Sequence, residues 1–224
     1  MNNEKLIEPL QTSLREAQDE NRADQMSAYM KGKFFYYGVS APLRQQIQKE
    51  WFAQINVETY DFWEMIYALF EKNEREFQMV AIDMMKKRSP KQFSEEDWRN
   101  LEHTIVTKSW WDTVDLIASN YVGKYFLKYP EEVEPVITSW RNSNNLWLQR
   151  TCLIFQLKHK EAIDFKLLTD LIDQFKGDKE FFIQKAIGWS LRQHSRTNPN
   201  EVKSYLENSG LEGLARREAE RLMK

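Results

Sequence analysis

The feature that most constrains the fold of this chain is a helical segment that recurs about every 35 residues. The segments FQMVAID, WDTVDLI, WLQRTCLI and FIQKAIGW begin at Phe77, Trp111, Trp147 and Phe182, which are 34, 36 and 35 residues apart. Each segment begins with an aromatic residue and then passes from polar to small or apolar positions. A period of this length, with two helices per unit, is typical of HEAT and armadillo solenoids. We therefore expect an all-α, right-handed solenoid of HEAT-like repeats with a concave face. We also expect Glu74 to Arg88 and the last segment, LARREAERLMK, in the same row of helices.

Composition and local signals agree with an all-helical chain. The 224 residues include 7 glycines and 6 prolines, a scarcity that favours long helices with short connections. No segment alternates between polar and apolar residues with the period of a strand. Residues 74–88 instead carry apolar residues at helical spacing, namely Phe77, Val80, Ala81, Met84 and Met85. Ser40 before Ala41 and Pro42 predicts the start of another helix, and we expect one domain over residues 1–224.

Several classes of protein are disfavoured by the sequence. The longest apolar runs fall well short of the roughly 18 residues that a membrane span needs. The N-terminus has no charged leader followed by an apolar core, so we expect a cytoplasmic protein. The single cysteine, Cys152, excludes an internal disulfide and a cysteine-rich zinc site, and its apolar neighbours predict that it is buried. His103, His159 and His194 have no metal-ligand spacing, so we expect no metal.

One position departs from the pattern of the repeat. Where the other segments carry small residues, the second segment carries Asp115; the matched residues are Ala81, Thr151 and Ala186. The two later segments carry cations, Arg150 and Lys185, at the position before it. Charged exceptions on one row of stacked helices indicate a site built across several units. The net charge of −2 leaves such a local site open, because binding to a polyanion depends on where the charge lies.

The residue types around Asp115 indicate a cationic substrate within an anionic polymer. Trp111 and Asp115 are four residues apart and share a helix face, as do Lys185 and Trp189. Aromatic rings interleaved with cations suit a chain of sugars and phosphates, whereas a carboxylate suits a cation. A purine alkylated at N3 or N7 is positively charged, and its departure leaves a positive, oxocarbenium-like sugar that a carboxylate can stabilise. Both kinds of lesion fit this reasoning.

The same segments resemble a known family. IVTKSWWDTVD (105–115), NLWLQR (145–150) and KEFFIQKAIGWSLR (179–192) resemble the bacterial DNA alkylation repair glycosylases of the AlkD family. YMKGKFFYYGVSAPLRQ (29–45) and REFQMVAIDMM (75–85) are similar to its N-terminal units, so the resemblance covers nearly the whole chain in order. It implies a HEAT-like solenoid whose concave groove binds duplex DNA. It also implies hydrolytic removal of positively charged N3- and N7-alkylated bases, without a metal or cofactor.

The resemblance also implies roles for individual residues. Trp111, Asp115 and Trp189 would surround the deoxyribose of the damaged nucleotide and form the catalytic set. Arg150 would contact the DNA backbone close to the lesion. The other candidate DNA contacts are Lys185, Arg192, Trp147, Lys108 and Tyr29. The expected partner is double-stranded DNA that contains alkylated bases, bound by a monomer.

Each of these residues also has a simpler interpretation. Trp110 is expected in the core, and packing between units is the alternative to a DNA contact for Trp147. Arg150 would commonly be a surface cation or a salt-bridge partner. Lys185 and Arg192 are either phosphate contacts or ordinary surface cations. Ser109 to Asp112 reads as a capping box, with the aspartate in the first turn of a helix.

Two other functions compete with a glycosylase. A non-catalytic solenoid that binds damaged or branched DNA would share the basic surface, but an acid in a DNA groove weakens binding unless it takes part in chemistry. A protein-interaction scaffold is a common use of helical repeats and would not bind duplex DNA. Asp115 and its aromatic neighbours favour the glycosylase over both.

Overall fold

The computed structural model describes residues 3–56 and 59–223, which are helical along most of their length. Within these residues no strand forms, and an isolated bridge joins Phe35 to Glu74. The predicted all-α class is therefore confirmed. The helices group into two compact units, Met1–Ser89 and Pro90–Lys224, while a single domain over residues 1–224 stays a prediction. In the described part of the chain, no helix is long and apolar enough to cross a membrane.

The first unit has five α-helices within its described residues. They are α1 (Asn3–Glu16), α2 (Glu20–Tyr29), α3 (Ala41–Gln54), α4 (Phe62–Glu71) and α5 (Arg75–Met85). The buried residues of α1, Ile7, Leu10 and Leu14, have helical spacing and face the helices α3 and α4, against which α1 packs. Ser40 directly precedes α3, as predicted. The predicted apolar stripe of residues 74–88 is buried along α5.

A buried carboxylate fixes the loop between α2 and α3. Glu76 on α5 accepts hydrogen bonds from three consecutive backbone N–H groups, those of Tyr37, Gly38 and Val39, at 3.3, 3.0 and 3.2 Å. Gly38 has a φ of +82°, and a Cβ there would lie 2.1 Å from the carbonyl oxygen of Asp19. The sequence YYGVS therefore needs its glycine for both backbone conformation and close packing.

The second unit has nine α-helices within its described residues, and three of the four repeat segments lie on them. They are α6 (Asp97–Val106), α7 (Trp111–Ile117), α8 (Gly123–Lys128), α9 (Val133–Arg141), α10 (Leu146–Ile154), α11 (Phe165–Phe175), α12 (Phe181–His194), α13 (Pro199–Asn208) and α14 (Gly213–Ala219). A π-helical segment, Ala118–Val122, joins α7 to α8. Cys152 is buried, as expected, and burial raises the pKa of its thiol.

The related sequence segments lie on α5, α7, α10 and α12, so their prediction as helices is confirmed. In the second unit, α10 packs against both α7 and α12, and α12 packs against α14. We call α7, α10, α12 and α14 the helix row. The small residues matched to Asp115 within it, Thr151 and Ala186, are fully buried, as expected for tight contacts between helices.

Close packing at the start of α8 predicts a strong effect of Gly123→Ala. A Cβ at Gly123 would lie 2.4 Å from the carbonyl oxygen of Phe155, so the backbone of one segment would have to move. We expect the free energy of unfolding to fall by about 1–3 kcal/mol, as for other overpacked interiors, in urea denaturation followed by circular dichroism. Gly177→Ala is the control, because nothing lies within 4 Å of a Cβ there. Equal stability of the two variants would contradict this account.

Candidate functional site

An open cavity of about 290 Å³ lies along the helix row. Its lining residues come from α7, α10 and α12, and they are Trp111, Asp115, Arg150, Phe181, Phe182, Lys185, Trp189 and Arg192. The cavity thus brings together the three residues predicted as catalytic. It also includes three of the predicted DNA contacts: Arg150, Lys185 and Arg192.

The start of α7 sets the direction of Trp111 and Asp115. Trp110 is extended and immediately precedes the helix, so Trp111 is its first residue and Asp115 lies one turn later on the same face. The predicted capping box from Ser109 to Asp112 is wrong, because the hydroxyl of Ser109 donates to the carbonyl oxygen of Ile105 in the preceding helix. Asp112 does lie in the first turn of α7, as expected.

Arg150 forms a two-pronged ion pair with Asp115. Its Nε donates to Oδ1 and its Nη2 donates to Oδ2 of Asp115, both at 2.8 Å. Its Nη1 donates to the backbone carbonyl oxygen of Phe182, in the first turn of α12. Arg150 is only 4% exposed, so it is a buried salt-bridge partner and not a surface cation. One guanidinium therefore links α10 to both of its neighbours in the helix row.

Burial and pairing act on the Asp115 carboxylate in opposite directions. Burial raises the pKa of Asp115 above the ordinary value of an aspartate, and the nearby charge of Asp112 adds to this. The hydrogen bonds and charge of Arg150 lower it and limit the rise. The side chain of Asp115 keeps 16% of its surface exposed, so the carboxylate is held in place but remains accessible from the cavity.

Three aromatic rings pack against one another beside the ion pair. The ring centroids of Trp110, Trp147 and Phe182 lie 5.5, 5.2 and 5.1 Å apart, in edge-on or tilted contacts. Trp110 is buried, as expected, and the Arg150 guanidinium lies 5.9 Å from the centroid of the Phe182 ring. Trp147 does not line the cavity, and these contacts match its alternative interpretation as a packing residue.

The two cations predicted on α12 share an acidic partner. Lys185 lies 3.0 Å and Arg192 lies 2.7 Å from the carboxylate of Glu218 on α14. Arg221, which follows α14, also contacts this carboxylate at 3.2 Å. Lys185 and Arg192 are therefore neither isolated surface cations nor wholly covered, since their side chains keep 35% and 22% exposure.

Two other predicted DNA contacts, Lys108 and Tyr29, are not among the residues that line the cavity. Lys108 is in the turn before α7 and has a φ of +45°, unusual for a residue with a side chain. Tyr29 ends α2 in the first unit and is 69% exposed. Their contacts with DNA stay predictions.

Sequence reasoning did not assign Phe181, Phe182 or Glu218 to the site, although Phe182 begins one of the repeat segments. Two adjacent phenylalanines at the start of a helix cannot both face its core, and Phe181 is indeed 56% exposed beside the cavity. That pattern was a usable signal. The sequence contains no such signal for Glu218. An acid within LARREAER looks like an ordinary surface residue until α14 is placed against α12.

The cavity combines groups suited to a cation with groups suited to an anion. Asp115 and the indoles of Trp111 and Trp189 can stabilise positive charge, while Lys185 and Arg192 attract negative charge. Among the described residues, no group of three or more histidines, cysteines, aspartates or glutamates could hold a metal ion.

Comparison with known proteins identifies close similarity over nearly the whole chain. A model of the family described as DNA alkylation repair enzyme matches residues 10–223. A solved structure from Enterococcus faecalis, described as a predicted DNA alkylation repair enzyme, is 34% identical to this chain. The match covers 92% of this chain and 96% of that chain, with a TM-score of 0.82. Among curated proteins, none matches.

The buried ion pair predicts a large loss of stability in Arg150→Met. We expect the free energy of unfolding to fall by roughly 3 kcal/mol, because the buried carboxyl group of Asp115 would be left without its partner. Urea denaturation at neutral pH measures this change. The double variant Asp115→Asn with Arg150→Met should recover part of the loss, because it removes the unpaired carboxyl group. A double variant no more stable than Arg150→Met would show that the carboxylate is not the cause.

Proposed function

Because the chain belongs to the DNA alkylation repair enzyme family, we propose that it is a DNA glycosylase for positively charged N3- and N7-alkylated purines. It hydrolyses the N-glycosidic bond of these bases in duplex DNA and so initiates base excision repair. The observation that carries the proposal is the position of Asp115, whose carboxylate lies in a cavity lined by Trp111 and Trp189. A fixed carboxylate beside two indoles suits a substrate that becomes cationic at its sugar.

The chemistry needs electrostatic stabilisation more than proton donation. Alkylation at N3 or N7 gives the purine a positive charge, so the base takes the electron pair of the breaking bond and leaves as a neutral molecule. The sugar acquires oxocarbenium character, and Asp115 stabilises that charge together with the indole faces. Water then adds to the anomeric carbon and loses a proton, for which Asp115 is the acceptor within the cavity.

Arg150 suits this chemistry because it holds the carboxylate of Asp115 in a fixed orientation. A carboxylate has about four lone-pair positions, and Arg150 uses one on each oxygen, which leaves others for sugar or water. We propose that Arg150 orients Asp115 and keeps it ionised, in addition to the contact with the DNA backbone expected from the sequence. Trp111 and Trp189 surround the deoxyribose of the damaged nucleotide.

The remaining predictions complete the proposal. Lys185 and Arg192 contact phosphates, and Lys108, Tyr29 and Trp147 are further DNA contacts, although the packing of Trp147 favours a supporting role. The chain acts as a monomer, without a metal or cofactor, in the cytoplasm. The right-handed HEAT-like solenoid over residues 1–224, with a concave groove that binds duplex DNA, also belongs to the proposal. The contacts of α10 with α7 and α12 support it.

Asp115→Asn tests the catalytic role directly. We expect release of the base from duplex DNA with one N7-methylguanine to fall by at least about 100-fold, as when a group that stabilises transition-state charge is removed. Duplex binding, measured by fluorescence anisotropy, should change far less. The matched control is Asp112→Asn, which removes the same charge from the same helix but does not line the cavity. Equal losses of binding and release in Asp115→Asn would contradict the proposal and favour a binding protein.

The raised pKa of Asp115 predicts a pH dependence of base release. Because the carboxylate must be ionised to stabilise a cation, release should decline as the pH falls through its pKa. Burial raises that pKa, so the decline should begin at a higher pH than for an ordinary aspartate. Arg150→Lys removes the two-pronged ion pair, so less remains to lower the pKa of Asp115 against the effect of burial. The inflection in the pH dependence of base release should therefore move to still higher pH. The rate at each pH is compared with a sample that lacks the protein, and an unmoved inflection would argue against this role of Arg150.

A further inference from the structure

Glu218 is a buried acid that bonds to three cations. Its side chain is 8% exposed, and its carboxylate accepts hydrogen bonds from Lys185, Arg192 and Arg221. The distances are 3.0, 2.7 and 3.2 Å. Lys185 and Arg192 also line the cavity that contains Asp115, whereas Glu218 does not. Glu218 is therefore linked to the candidate site through these two side chains.

A glycine allows this arrangement. Gly188 follows Lys185 by three residues and precedes Arg192 by four, so all three lie on one face of α12. A Cβ at Gly188 would lie 2.4 Å from the Cβ of Glu218 and 2.7 Å from the carbonyl oxygen of Ala215. The absence of a side chain therefore lets α14 approach α12 closely enough to place Glu218 between the two cations.

The bonds to Glu218 leave both cations with donors for another anion. Arg192 uses Nη1 toward Glu218, and its Nε and Nη2 bond to no residue within 3–56 or 59–223. An ammonium group has three donors, and Lys185 directs one at Glu218. Burial acts to raise the pKa of Glu218, but the hydrogen bonds from Lys185 and Arg192 outweigh it and hold that pKa below the usual range. Glu218 therefore stays ionised at neutral pH.

Fixing a lysine and an arginine before a ligand arrives favours binding. Both side chains have many rotamers, and a ligand that must immobilise them loses affinity. A carboxylate that already holds them removes part of this cost, although its own negative charge disfavours a second anion. If Glu218 strengthens anion binding on balance, it is a positioning residue. If it weakens anion binding, it competes with the anion.

We propose that Glu218 is a positioning residue, which holds Lys185 and Arg192 at the cavity so that they bind phosphates next to the damaged nucleotide. This inference rests on the proposed function, since it requires DNA at this cavity. Glu218 does not touch the DNA. It acts through the two cations, and Gly188 sets its position.

The test compares Glu218→Gln with Glu207→Gln in binding an unmodified DNA duplex, by fluorescence anisotropy over a series of salt concentrations. Glu207 is exposed on α13, so its variant makes the same change of charge without these contacts. We expect Glu218→Gln to bind about fivefold more weakly than the wild type, despite its more positive charge, because the cations are no longer held. The slope of log affinity against log salt should fall by about one, as for the loss of one phosphate contact. Glu207→Gln should bind as tightly as the wild type or slightly more tightly.

Other results would overturn the proposal. Tighter binding by Glu218→Gln would make Glu218 a competitor of the phosphates, and identical behaviour of the two variants would leave it no role. If Glu218→Gln does not fold, as judged by circular dichroism, Glu218→Asp replaces it. That variant keeps the charge but shortens its reach, so weaker binding is again expected, and unchanged binding would refute positioning.

Base release by the wild type separates this inference from the proposed function. A wild type that binds DNA but releases neither N7-methylguanine nor N3-methyladenine would refute the glycosylase, and the comparison of Glu218→Gln with Glu207→Gln would still decide the role of Glu218. A wild type that does not bind duplex DNA would overturn both.

Discussion

The ion pair between Arg150 and Asp115 is the interaction on which the organisation of the candidate site depends. A carboxylate at a partly buried position is costly unless it is paired and hydrogen-bonded, and Arg150 satisfies both oxygens at 2.8 Å. The third bond of the guanidinium, to the carbonyl oxygen of Phe182, ties the pair to α12. Buried ion pairs seldom add much stability compared with apolar packing, so stability alone gives little reason for this one. Its value lies in holding an ionised carboxylate at a fixed place in the cavity.

Each cation at this cavity is bonded to an acid, so the cations do not form an open basic surface. Arg150 is matched by Asp115, while Lys185 and Arg192 are matched by Glu218. Such pairing limits the general attraction for polyanions and is compatible with a chain whose net charge is −2. In our proposal, affinity for DNA then depends on donors held in defined directions, and the paired carboxylate of Asp115 repels the polyanion less than an unpaired one would.

The sequence predicted those features that depend on periodicity along a single helix. The helices of the repeat, the shared face of Trp111 and Asp115, and the unusual position of Asp115 all followed from residue spacing, since spacing determines which side chains lie together on one helix. The all-α class followed for the same reason.

Features that depend on contacts between helices could not be predicted from spacing. The sequence placed Arg150 correctly on α10, but its pairing with Asp115 depends on how α10 sits against α7. Glu218 was overlooked because its importance comes from the close approach of α14 to α12 at Gly188. Ser109 matched a capping pattern, yet its hydroxyl bonds to the preceding helix. In each case a local pattern fits several arrangements, and tertiary packing selects among them.

The most direct test of the central claim is base release by the wild-type protein at saturating concentration. Two duplexes that differ in one nucleotide are compared, one with the cationic base N7-methylguanine and one with the neutral base uracil. A site built to stabilise a cation predicts release of N7-methylguanine well above the spontaneous rate and no release of uracil. Binding of both duplexes without release of N7-methylguanine, or equal release of the two bases, would contradict the account.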